Sequence, residues 1–70
     1  MPETKTSRVI SGLRAMRGLS AREVARRAKC ADMTVRRVES GEQDPSVGLL
    51  NRLLDVLEAD QKTRLSLVNP

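Results

Sequence analysis

The chain has no histidine, no Phe, Tyr or Trp, and a single cysteine, Cys30. Without histidine, one thiol cannot complete a zinc or haem ligand set, so neither metal nor cofactor is expected. One cysteine cannot close an internal disulfide, and a reducing cytoplasm is the natural setting. With no aromatics, the interior must be built from Leu, Val, Ile, Met and Ala, which suit interlocking helices better than an aromatic-rich sheet. No apolar run approaches the roughly 20 residues that span a bilayer. Met1 to Arg8 is polar rather than the apolar stretch of a signal peptide. A thiol without a visible base and the lack of a glycine-rich phosphate loop argue against an enzyme.

What is present is basic charge, unevenly spread. Residues 1–41 hold ten Lys/Arg against four acids, a balance of +6, whereas residues 42–70 hold three against five, a balance of −2. A basic half on a small domain attracts a polyanion, and nucleic acid is the commonest. Charge alone is met equally well by a solvated surface. The 70 residues make one domain at most, because so short a chain buries only about 60% of its unfolded surface.

Met1 to Thr6 carries Pro2 and offers nothing to pack, so residues 1–6 are expected to be a loose arm, with the domain over 7–68 and a fraying tail at 69–70. A first helix fits Ser7 to Arg17, with Ile10, Leu13 and Met16 or Arg17 on one stripe and Gly18 ending it. Ser20-Ala21-Arg22-Glu23 is a capping-box pattern that opens a second helix over 21–28, burying Val24, Ala25 and Ala28. A third helix over 32–40 buries Val35 and Val38, turns Met33, Thr34, Arg36 and Arg37 outward, and stops at Gly41. Ser46 caps a fourth helix through about Leu57, whose Leu49, Leu50, Leu53, Leu54 and Leu57 form the thickest apolar stripe. Asp60 is positioned to cap a short fifth helix from Gln61 to about Val68.

Arg17-Gly18-Leu19-Ser20, Glu23-Val24-Ala25-Arg26-Arg27, Val35, Val38-Glu39-Ser40-Gly41 and Asp44-Pro45-Ser46 before the leucine-rich helix resemble the Cro/cI-type helix-turn-helix regulators of phages and bacteria. The resemblance covers residues 8 to 59 and is a spaced constellation rather than one short motif. It implies an all-α, lambda-repressor-like bundle of about five short helices and double-stranded DNA as partner. In such a motif the second helix enters the major groove, about 12 Å wide, and its early residues meet base edges. A small residue where the two helices cross, here Ala25, and apolar residues inside both fit that geometry independently.

Position by position, the resemblance gives Asp32, Met33, Thr34, Arg36 and Arg37 the base-reading face. Arg37 is the foremost candidate, since a guanidinium can donate twice to guanine O6 and N7; the alternative is an exposed arginine or a phosphate clamp. Asp32 either accepts from a cytosine amino group or caps the helix, and Met33 either meets a thymine methyl or covers the helix pair. Phosphate contacts are implied for Ser20, Ala21 and Arg22 and for Ser40, Gly41 and Gln43. Ala21 offers no side-chain donor, so Arg22 or Arg26 is expected in its place. Arg17, Arg27 and Lys29 are read as solvated charges. Arg14 and Glu39 match the family's structural ion pair, which orients rather than reads.

The chain departs from the family's pattern at the turn and beyond it. Lys29 stands where the turn usually has glycine, and a left-handed lysine costs on the order of 1 kcal/mol. Ala31 replaces a polar cap, and the acidic Glu42 and Asp44 replace residues that are often basic. One function these features suggest is a sequence-specific regulator, most simply a repressor, binding an inverted repeat as a dimer through Leu65, Leu67 and Val68. Those three residues would otherwise finish the monomer core. The other is a protein-interaction module on the same scaffold, antitoxin-like or a phage-encoded inhibitor.

Overall fold

A computed structural model describes residues 3–68, without the Val68 side chain. Met1, Pro2, the tail at 69–70 and the Val68 side chain, to which expectations were attached, lie outside that description. The described chain is all-helical: α1 (Lys5–Arg17), α2 (Ala21–Ala28), α3 (Asp32–Ser40), α4 (Val47–Val56) and α5 (Gln61–Val68).

The first helix starts two residues earlier than its apolar stripe predicts, inside the stretch expected to be an arm. Thr4 is the reason. Its Oγ1 accepts from Ser7 N at 3.0 Å, while Thr4 N donates to Ser7 Oγ at 2.8 Å. Ser7 Oγ also donates to Thr4 O at 2.8 Å, so this fully buried hydroxyl is satisfied locally. Two polar residues therefore set a boundary that hydrophobic periodicity cannot register. At the other end, Gly18 takes the left-handed conformation (φ 67°), and Leu19 N and Gly18 N close on Arg14 O and Ala15 O. Met16, a candidate for the inner stripe, is 81% exposed.

Ser20 caps α2 by accepting from Glu23 N at 3.0 Å, and Ser46 caps α4 by accepting from Leu49 N at 3.1 Å. The reciprocal half of the expected box at Ser20 is not formed, because the Glu23 carboxylate turns instead to Arg26 and Arg27. Asp60 Oδ1 accepts from Thr63 N at 2.7 Å and opens α5, a contact that holds its carboxyl below the usual range.

The core joins Ile10 of α1, Val24, Ala25 and Ala28 of α2, Val35 and Val38 of α3, and Leu49, Leu50, Leu53, Leu54 and Leu57 in and after α4. Each fully buried Leu, Ile or Val contributes about 1.5–3 kcal/mol, so aliphatic side chains suffice without aromatics. The tightest pairing is α2 with α3; α1 packs on α3, α4 on α2, and α5 mainly on α4. Small Ala25 and Ala28 let α2 approach its neighbours closely. Among the described residues no helix is long and apolar enough to cross a membrane.

Candidate DNA-binding face

Long-range arginine contacts from α1 and α4 fix α2 and α3 on the scaffold, and a third ties α1 to the end of α4. Arg14 of α1 donates from Nε to Glu39 Oε2 at 2.6 Å and from Nη2 to Glu39 Oε1 at 2.8 Å, a two-pronged pair between α1 and α3. Its Nη1 donates to Leu19 O at 3.0 Å, so the same guanidinium also holds the chain just before α2. Hydrogen bonding to Glu39 raises the Arg14 pKa above its ordinary value, and the Glu39 side chain is only 12% exposed. Arg52 of α4 donates from Nε to Ala28 O at 2.9 Å, a carbonyl at the end of α2. Arg17, expected to be a solvated charge, donates to Leu57 O at 3.0 Å and Glu58 O at 3.2 Å, covering the end of α4.

Lys29 ends α2 in the left-handed conformation (φ 58°), as the missing glycine implies, and its N–H closes on Arg26 O. Ala31 then opens α3 with no side-chain cap. Asp32, the first helical residue, is exposed and makes no capping bond, so it offers the helix start only its charge.

The outer face of α3 carries Asp32, Met33, Arg36 and Arg37, all exposed, with Thr34 half-buried at its edge. Val35 and Val38 point the other way, into the core. Among the described residues, the side chains of Arg22, Arg36 and Arg37 make no hydrogen bond or ion pair, and all three are exposed. At the start of α2, Ser20 and Arg22 are exposed and Ala21 is half-buried, and Arg26 in the last turn is exposed as well. An open concavity of about 590 Å³ lies between the beginnings of α2 and α3, lined by Ser20, Arg22, Glu23, Arg26 and Asp32 among others. Beyond α3, Ser40 Oγ is engaged with Arg37 O at 3.1 Å and Glu42 Oε1 at 3.0 Å, and Gln43 N donates to Arg37 O at 3.2 Å. Those groups fasten the end of α3, while Ser40, Gly41 and Gln43 all remain half-buried.

Arg27, also expected to be solvated, is held by Glu23 through Nε to Oε2 at 2.6 Å. Arg26 engages the same carboxylate through Nε at 3.2 Å and through Nη2. Hydrogen bonds from Arg26 first, then Arg27, lower the Glu23 pKa to about 2. The spacing of Glu23 three and four residues before the two arginines is the sequence signal for this cluster. Arg17 and Arg52 had no comparable signal, since their partners lie 40 and 24 residues away.

A helix-turn-helix domain family profile matches residues 7–67. The chain belongs to the helix-turn-helix domain family. No curated protein and no solved structure matches it. Membership makes the chain a DNA-binding domain of the kind regulators carry.

Proposed function

We propose that the chain is a sequence-specific transcriptional regulator of Cro/cI type, most simply a repressor that occludes a promoter, with α3 lying in the major groove of an operator. The observation that carries this reading is the outer face of α3. Arg36 and Arg37 stand exposed there with no protein partner among the described residues, while the opposite face is locked into the core. An arginine without an internal partner keeps its two-pronged fork for guanine O6 and N7. Met33, 52% exposed, supplies an apolar contact suited to a thymine methyl. Asp32 suits a cytosine amino group, and Thr34 reaches the groove edge.

Phosphates on either side are assigned to the start of α2, through Ser20, the Ala21 backbone, Arg22 and Arg26, and to the end of α3, through Ser40, Gly41 and Gln43. This reading includes a homodimer on the operator, each short α3 covering one half-site and the half-sites lying about one helical turn apart. Leu65, 50% exposed on α5, is the dimer contact best supported by exposure, whereas Leu67 packs against the monomer core.

Selection from a randomised duplex pool at about 150 mM salt tests the proposal, because non-specific binding falls steeply with salt while base contacts persist. A two-fold symmetric enriched motif is expected. A lone half-site removes the dimer and keeps the DNA reading. No enrichment at all rejects the regulator in favour of a module that grips a protein partner.

A further inference from the structure

The Glu23 cluster sits on the phosphate-facing start of α2, yet it places a carboxylate where a polyanion is to bind. Resting on the DNA reading above, we propose that Glu23 is a positioning residue: it pre-aims Arg26 and Arg27 at the phosphate backbone and sets the ratio of specific to non-specific binding. Three observations carry it. Glu23 Oε1 and Oε2 accept from Arg26 Nε and Nη2, so the inner edge of that guanidinium is occupied and Nη1 is left for a ligand. Arg27 uses only Nε on Glu23, leaving both terminal nitrogens without a partner among the described residues. The Glu23 backbone N–H is fixed by Ser20 Oγ at 3.0 Å, which ties the cluster to the helix start lining the concavity.

The charge arithmetic gives the consequence. Two guanidiniums sharing one carboxylate present a net charge of about +1 rather than +2, which weakens attraction to any duplex. The same shared carboxylate removes rotamer freedom from two long side chains before binding, so docking in one register loses less entropy. Diffuse, sequence-independent attraction falls, and register-specific contact is retained. Glu23 therefore acts on discrimination without touching a base.

The test measures affinity of the full chain for the duplex enriched by selection and for a random-sequence duplex, across a salt series, in wild type, Glu23→Gln and Glu23→Asp. Glu23→Gln is expected to bind random duplex several-fold more tightly, to steepen the salt slope by about one unit, and to lower the specific-to-random ratio about tenfold. Glu23→Asp keeps the charge but is one methylene too short to span both guanidiniums, and it should lower the ratio without the gain on random duplex. An unchanged ratio in both variants, with or without a uniform change in affinity, overturns the positioning role. Failure of the wild type to hold either duplex overturns the DNA reading itself.

Discussion

The junction between α1 and α2 and the junction between α2 and α3 solve the same problem by different means. The first follows local rules: Gly18 supplies the left-handed residue at no steric cost and Ser20 supplies the cap. The second breaks both, with Lys29 left-handed and Ala31 uncapping α3. It is held from outside instead, by Arg52 on Ala28 O, by Arg14 on Glu39, and by Ala25, Ala28, Val35 and Val38 in the core. The helix assigned to the groove thus owes its placement to tertiary contacts more than to its own sequence.

The largest effect is expected from Leu53→Ala, which opens a cavity in α4 at a side chain with no exposure. Equilibrium denaturation should show a loss of about 2–5 kcal/mol. For a chain this small that is most of the stability, and α3 should lose its seat along with the fold. A loss below about 1 kcal/mol would show that the scaffold does not carry the second junction.

Arg14→Ala comes next. It strands Glu39, whose side chain is 12% exposed, and also frees Leu19 O. A charged acceptor left without its donor costs about 1–3 kcal/mol. In a double-mutant cycle, Glu39→Gln should recover part of that loss, because a neutral amide tolerates the site better than an unpaired carboxylate. Additive losses would mean that the pair does not couple α1 to α3.

Within the proposed interface, Arg37→Ala and Arg22→Ala should part company. Loss of Arg37 is expected to remove roughly 1–3 kcal/mol of discrimination at one base step. Loss of Arg22 should weaken every duplex alike and reduce the salt slope by about one. Parallel titrations on selected and random duplexes separate the two. Identical behaviour of the mutants would erase the distinction between reader and clamp.

Most of the architecture is written in local signals. Gly18, Ser20, Gly41, Ser46 and Asp60 mark ends by chemistry that acts within four residues, and the leucine stripe of α4 announces the core. The start of α1 was not legible from periodicity, because Thr4 and Ser7 set it without an apolar residue. Nor were the roles of Arg17 and Arg52, since nothing in a basic side chain names a carbonyl tens of residues away. The pairing of Arg27 is legible through its spacing four residues after Glu23, a local signal that the solvated-surface expectation for arginine overlooks.

Repairing the second junction should stabilise it by less than the clamps contribute. Ala31→Ser offers α3 the missing cap and is expected to add about 1 kcal/mol. Lys29→Gly relieves the left-handed strain by a similar or smaller amount, offset in part by the greater freedom glycine gives the unfolded chain. Both should raise the denaturation midpoint with little change in its slope. If neither does, the clamps have already absorbed the local defects.

The smallest effect is electrostatic and confined to the surface of α2. Glu23 falls from its ordinary 4.5 to about 2 in the folded chain because Arg26 and Arg27 hydrogen-bond its ionised form. A group whose folded pKa is depressed stabilises fully above its unfolded value and loses that contribution as pH falls through the folded value. The stability difference between wild type and Glu23→Gln should therefore be constant above about pH 5 and close progressively between 4.5 and about 2. Added salt should shrink the plateau, because the arginines are 71% and 48% exposed and the pairing is screened. A difference that persists below pH 2 would instead assign the cluster's contribution to packing of the Glu23 stem.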